Sequence, residues 1–308
     1  MRHIYGFGET VFDIIFRNDQ PLRAVPGGST FNTMVSLGRC GLHPTMLTEV
    51  GDDHVGTIVT RFLHANGVDT CRVTIQDGRH TPVSLAFLDA AGDAHYQFYR
   101  DTSSSPAAAQ TVSRGMPDFQ PDDVVVFGSF YAVNPSLRPY TRDLVQRAHD
   151  AQSILYYDVN FRPAHRHDLP SVLPSIEANM RQATIVRVSH EDLVCVYGSL
   201  EAGLSRVRDL CPRLLVTYGS DGVDFISPTL AIHRPALPVA PVSTIGAGDS
   251  FNAGIVHSIA TEGWMLTDLK QPSAAMVTTM VDRAQRFAAD VCASFENYVT
   301  LNFAQNIL

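Results

Sequence analysis

Short apolar runs of strand length alternate with stretches of helix length along most of this chain, and nothing else in the sequence narrows its fold so far. The runs are Ile4–Phe7, Pro44–Val50, Val124–Phe127, Ile154–Tyr157, Ile185–Val188 and Leu214–Thr217. They are largely apolar from end to end, as strands buried on both faces are. Helix-length segments such as Tyr140–Ala151, Ser171–Arg181 and Ser199–Leu210 separate most of them. The pattern predicts an α/β fold of βαβ units, with a mainly parallel sheet covered by helices on both faces. Two pairs of strand-like segments break the rhythm: Val11–Phe16 with Leu22–Val25, and Val83–Leu88 with His95–Tyr99. The second pair is joined across Asp89-Ala90-Ala91-Gly92-Asp93, which reads as a hairpin turn. These insertions, at about 11–25 and 83–100, predict a small separate sheet that serves as a cover over a site, as a subunit interface, or as an extra hairpin packed on the core. Alternation puts Tyr96 and Phe98 on one face and Tyr99 on the other, so that one face serves a ligand and the other a partner. The biased stretch Ser103–Ala109 reads as the loop leaving the hairpin.

Composition closes off whole classes of function. With 308 residues, 45% of them apolar, the chain has material for one large domain or two. Its net charge of −8 and the absence of any basic run argue against a nucleic-acid partner. Lys270 is the only lysine, so chemistry needing a Schiff-base or phosphate-loop lysine early in the chain is disfavoured. The five cysteines are scattered and never spaced Cys-x-x-Cys, which predicts reduced thiols, a cytoplasmic protein and no structural zinc. No window of eighteen apolar residues occurs and the start of the chain runs straight into a strand, so neither a membrane span nor a signal peptide is expected.

The strongest local motif is Ser243-Thr244-Ile245-Gly246-Ala247-Gly248-Asp249-Ser250-Phe251. Phe251, Ile255, Val256 and Ile259 share one helical face, so Gly246–Gly248 reads as a tight turn opening a helix whose free N–H groups and dipole stabilise an anion. Asp249 there is either a base for an attacking hydroxyl or the helix N-cap. Near the start, Gly27-Gly28-Ser29-Thr30-Phe31-Asn32 precedes an amphipathic helix. The glycine pair lets a ligand approach the backbone; Asn32 can present its amide to a polyol, and Asp13 can accept from two adjacent hydroxyls. The plain alternative is a loop with Ser29 or Thr30 as N-cap. Gly6-Phe7-Gly8 imitates a dinucleotide fingerprint and fails, because its third glycine is Val11 and strand-like residues follow. Asp158-Val159-Asn160-Phe161-Arg162 emerges from the carboxyl end of a strand, where open α/β sheets bind ligands. Arg162 is a phosphate partner there or a surface arginine. His165-Arg166-His167 reads as solvated loop.

Taken together, Gly27–Asn32, Asp158–Arg162, Val216–Gly222 and Thr244–Phe251 resemble, in order and spacing over nearly the whole chain, the motifs of the ribokinase-like (PfkB) family of carbohydrate kinases, fructokinases in particular. The resemblance implies a single ribokinase-like α/β domain over residues 1–308, with a small β-sheet lid that often forms a dimer contact. It implies that Asp249 deprotonates the sugar hydroxyl, that Gly246, Ala247 and Gly248 form the anion hole, and that Arg162 lies near the transferred phosphate. Asp13, Gly27, Gly28 and Asn32 match sugar-binding positions, to which Phe98 is added from the lid. Thr217, Gly219, Ser220 and Gly222 match the loop that meets the nucleotide. Ser189 and Asp192 stand where the family has the Asn and Glu of a motif organising magnesium and phosphate, which leaves the metal ligands unassigned. Ser243 replaces an Asp that borders a monovalent-cation site in many members, so that cation stays open. Phe287–Phe295, a helical apolar stripe, flanks the adenine or is plain core.

The expected function is thus a cytoplasmic, homodimeric kinase that uses ATP and Mg2+ to phosphorylate a hydroxyl of fructose or a related free sugar. Ribose, a nucleoside, 2-keto-3-deoxygluconate or a sugar phosphate are alternative acceptors, and a non-catalytic sugar sensor is an alternative class. Gln97 and Asn32 favour an uncharged sugar, while Arg100 keeps a phosphorylated one open.

Overall fold

Backbone hydrogen bonding converts the apolar runs into strands with bounds within two residues of those expected. In chain order the elements are β1 (Ile4–Phe7), β2 (Val11–Arg17), β3 (Gln20–Gly27), α1 (Ser29–Arg39), β4 (Thr45–Gly51), α2 (His54–Ala65), β5 (Val73–Gln76), β6 (Val83–Leu88) and β7 (Ala94–Tyr99). There follow β8 (Val124–Gly128), α3 (Arg138–Asp150), β9 (Ile154–Asp158), α4 (Leu169–Gln182), β10 (Ile185–Ser189), α5 (His190–Tyr197), α6 (Leu200–Leu210), β11 (Leu214–Thr217), β12 (Val223–Ile226) and β13 (Ala231–Arg234). Four helices close the chain: α7 (Ala247–Thr261), α8 (Leu266–Lys270), α9 (Ala274–Cys292) and α10 (Leu301–Asn306). This computed structural model describes residues 2–88, 94–100 and 115–307, with the backbone alone at Ala94 and Tyr96. The expected hairpin turn Asp89–Asp93, the loop Ser103–Ala109 and the side chain of Tyr96 lie outside the described residues.

Two compact units are present. The first holds Met1–Tyr5, Pro117–Pro238 and Gly254–Arg286. In it β8, β9, β10 and β11 lie side by side and parallel, with Val124 opposite Ile154, Ile185 opposite Tyr156 and Val186 opposite Leu214. Every residue of β8 and β9 is buried, which is the physical reason these strands read as unbroken apolar runs. Helices cover them with apolar stripes such as Leu144, Val145 and Ala148 of α3. Beyond β11 the sheet turns antiparallel through β12 and β13.

The second unit holds Gly6–Met116, Val239–Ala253 and Phe287–Leu308. Here β4 and β5 pair in parallel, and a separate four-stranded sheet has the order β3-β2-β6-β7. Its register sets Asp13 of β2 beside Ser84 of β6, and Ser84 beside Phe98 of β7, so these three share one face. The small sheet expected from the two insertions is therefore present. One expectation needs correction: the stripe Phe287–Phe295 is not helical throughout. Helix α9 stops at Cys292, whose carbonyl accepts the Val242 N–H at 2.7 Å, and Phe295 beyond it is 50% exposed. No helix among the described residues is long and apolar enough to cross a membrane.

Candidate active site

The site begins where β3 ends. Gly28 is the N-cap of α1, with φ +126°, and the Asn32 N–H donates to its carbonyl at 2.8 Å. Ser29 is thus the first helical residue, which corrects the alternative that Ser29 or Thr30 caps the helix. With the helix started there, Ser29, Asn32 and Thr33 fall on one face. All three reach the same residue. The Ser29 hydroxyl donates to Asp249 Oδ1 and the Asn32 amide to Asp249 Oδ2, each at 2.8 Å, while Thr33 Oγ1 donates to the Asp249 carbonyl at 2.9 Å. Asp249 is 7% exposed and is the third residue of α7. Its carboxylate is therefore aimed by α1, and the N-cap reading is set aside.

The Asn32 amide nitrogen, expected on a ligand, is used on Asp249. Since a carboxylate only accepts, the Asn32 carbonyl oxygen must point elsewhere. It is buried with no hydrogen-bond partner among the described residues. Asp13 lies on the neighbouring sheet, buried, and accepts a hydrogen bond from the Ser84 hydroxyl. Burial, and to a lesser degree repulsion from Asp249, pushes its carboxyl up to about 6 against the opposing pull of Ser84 and Arg23.

Two glycines make this arrangement possible. A Cβ on Gly27 would run into the Asp13 carboxylate, and one on Gly246, where φ is +81°, would strike the carbonyl of Asn297. Asn297 is a residue the sequence reading passed over. It is 1% exposed, its backbone packs on Gly246, and its Nδ2 lies 3.8 Å from where a Gly27 Cβ would sit. Of the expected anion-hole residues, Ala247 and Gly248 are already in the first turn of α7, and the Ala247 N–H donates to the Thr244 carbonyl at 3.2 Å. Arg100 stacks 4.4 Å from the Phe98 ring centre and donates to Glu9 Oε2 at 2.7 Å, so its charge is matched within the protein.

The other expected residues belong to the first unit. Ser189 caps α5 in a capping box: its hydroxyl accepts the Asp192 N–H, and Asp192 Oδ2 accepts the Ser189 N–H at 2.8 Å. Asp192 Oδ1 accepts the Phe161 N–H, also at 2.8 Å, which fixes the chain just before the exposed Arg162. Thr217 Oγ1 accepts from Arg187 Nη2 at 2.7 Å, and the same guanidinium pairs with Asp158 at 3.1 Å. Gly219, Ser220 and Gly222 form the turn after β11, closed by the Tyr218 N–H on the Gly222 carbonyl at 2.9 Å. His165 stacks on Phe130 with ring centres 3.8 Å apart. Among the described residues no group of three His, Cys, Asp or Glu is arranged to hold a metal.

Residues 1–296 match the profile of the pfkB family carbohydrate kinases. The chain is 29% identical over 263 residues to a fructokinase of Rhizobium leguminosarum bv. trifolii, covering 82% of this chain and 78% of the relative. It is 28% identical over 270 residues to a fructokinase of Salmonella typhimurium, covering 86% and 87%. In fold it is similar to the fructokinase from Vibrio cholerae O395 solved with fructose, ADP and calcium ion bound (TM-score 0.83, 21% identity, 98% and 96% covered). It is also similar to the aminoimidazole riboside kinase from Salmonella enterica complexed with aminoimidazole riboside and an ATP analogue (TM-score 0.81, 20% identity, 99% of each chain).

Proposed function

Because the chain belongs to the pfkB family of carbohydrate kinases and is a phosphotransferase with an alcohol acceptor, we propose that it transfers the γ-phosphoryl group of ATP to a hydroxyl of an uncharged sugar, fructose first among them. The observation that carries this reading is the Asp249 carboxylate held by Ser29 and Asn32 from α1, next to the buried Asp13. Asp249 takes the proton of the acceptor hydroxyl while that oxygen bonds to the γ-phosphorus. The bond from phosphorus to the bridging oxygen breaks, and its electron pair leaves with ADP. Main-chain N–H groups at Gly246 and Gly248 and the dipole of α7 meet the charge that develops on the phosphoryl oxygens.

Two carboxylates at the acceptor disfavour a phosphorylated or carboxylated sugar, and Arg100, the cation that would have welcomed one, is spent on Glu9. Thr217, Gly219, Ser220 and Gly222 are assigned to the nucleotide, and Arg162 to the moving phosphoryl group. Magnesium fits this chain as an ion carried by the nucleotide's phosphates, because among the described residues no group of three His, Cys, Asp or Glu is arranged to hold it. Ser189 and Asp192 are assigned to fixing the start of α5 and the segment before Arg162. The face of the small sheet opposite Asp13, where Tyr99 is 58% exposed, is assigned to a homodimer contact, and five free cysteines suit the cytoplasm.

A coupled ADP-release assay over D-fructose, D-ribose, 2-keto-3-deoxygluconate, fructose 1-phosphate and a purine riboside tests the reading. Fructose should turn over best. Turnover confined to the riboside or to a phosphorylated sugar would overturn the acceptor assignment, and stabilisation by a sugar with no ADP release would point to a sensor.

A further inference from the structure

Asn297 sits between α9 and α10, fully enclosed, and carries an imbalance that the scaffold does not explain. Arg23 Nη2 donates to its Oδ1 at 3.5 Å. A guanidinium has no acceptor, so this contact fixes the amide with its oxygen toward Arg23 and its nitrogen away. That nitrogen, Nδ2, is buried and has no hydrogen-bond partner among the described residues. A bare buried donor costs stability that an apolar side chain of similar size would not. Its surroundings say what it awaits. Nδ2 lies 3.8 Å from the point where a Gly27 Cβ would be, and the Asp13 carboxylate lies against that same point. A Cβ at Gly27 would collide with that carboxylate, so the missing side chain lets the Asp13 carboxylate and the Asn297 amide N–H approach one point from two sides.

The two groups make opposite demands. An ionised carboxylate only accepts, and an amide nitrogen only donates. A carbonyl oxygen would satisfy Asn297 and repel Asp13; an ammonium would satisfy Asp13 and face the donors of Asn297 and Arg23; a phosphate would meet the Asp13 charge. A hydroxyl satisfies both, giving its proton to Asp13 and its lone pair to Asn297. Resting on the sugar-kinase reading, we propose that Asn297 is a specificity-determining residue: its amide donates to the oxygen of one acceptor hydroxyl whose proton Asp13 accepts, and so selects for acceptors that carry that hydroxyl. Sites that leave a buried polar group unpaired when a hydroxyl is missing reject the deoxy analogue strongly.

The test compares wild type, Asn297→Ala and Asn297→Asp on the best acceptor of the sugar panel and on its monodeoxy analogues, with kcat and KM read separately and the melting temperature with ATP as a check on folding. Wild type should disfavour one analogue by at least about 10²-fold in kcat/KM. In Asn297→Ala that ratio should shrink below about tenfold, through KM for the parent sugar, with the ratios for the other hydroxyls unchanged. Asn297→Asp keeps the shape and replaces the donor by an acceptor, so it should lose the same ratio even if the alanine variant unfolds. Unchanged ratios in both variants, an equal loss at every hydroxyl, or collapse of both variants would assign Asn297 to the scaffold and overturn the proposal while the kinase reading stands. A wild-type enzyme that phosphorylates no free sugar would instead remove the reading on which it rests.

Discussion

Asp249 and Asp13 are both carboxylates, yet their neighbours give them different work. Asp249 accepts from Ser29 and Asn32, so Asp249→Asn retains partners: its oxygen can accept from Asn32 and its nitrogen donate to Ser29. Its melting temperature should correspond to a loss of no more than about 1 kcal/mol, while kcat falls by roughly 10²–10⁴-fold with ATP binding kept. An Asn variant with more than about a tenth of wild-type turnover would take Asp249 out of the mechanism. Asp13 titrates near 6 in the fold against about 3.9 unfolded. The fold therefore favours its protonated form, and as pH rises from about 4 through about 6 the unfolded chain ionises first and the native state loses stability, by roughly 2–3 kcal/mol. Thermal melts across that window should fall for wild type relative to Asp13→Asn, and parallel curves would refute the shift. The acceptor KM should fall over the same rise, since only ionised Asp13 accepts two hydroxyl protons. Asp249, Gly27 and Asn32 were legible because each stands in a short motif, and Asp13 because a carboxylate in the strand region before one of them can accept from adjacent hydroxyls. Asn297 and Ser84 were not: an asparagine after a helix and a serine in a strand are ordinary, and their meaning comes from partners more than two hundred and about seventy positions away.

At the scale of elements, strands were legible wherever burial on both faces made them apolar throughout. The antiparallel pair β12 and β13 went unremarked, because alternating exposure in four-residue strands leaves little pattern to read. The Ser-x-x-Asp spacing at Ser189 and Asp192 was visible, but its use as a capping box depends on where α5 starts. Asp192→Ala keeps the Ser189 cap but leaves the Ser189 and Phe161 N–H groups bare, so it should lower stability by about 2–3 kcal/mol. Urea melts check this, and an unchanged midpoint with lost turnover would return Asp192 to direct phosphate or metal work. Arg162, exposed on the segment that Asp192 anchors, should behave in the opposite way. Arg162→Ala should leave the melt unaltered and lower kcat more than it raises the sugar KM, by about 1.5–3 kcal/mol in activation free energy, as expected of a charge-assisted contact that tightens in the transition state.

For the molecule as a whole, the proposed dimer gives a further check: sedimentation at micromolar protein should show two chains, and Tyr99→Arg should shift the species to one without altering turnover per chain by an order of magnitude. The proposed acceptor side draws on four stretches, around residues 13, 27–33, 249 and 297, and only the α/β pattern and the local motifs at 27–33 and 249 were readable in advance. The three hydrogen bonds from α1 to Asp249 start at the residue that follows Gly28. The stretch proposed to admit the sugar is therefore continuous with the stretch that holds Asp249. In a directed-evolution library spanning residues 26–33, breadth of acceptance and speed of turnover would be inherited as a single trait, each enlargement of the cleft dragging the base off line. Variants that separate the two should come instead from β7 and from position 297.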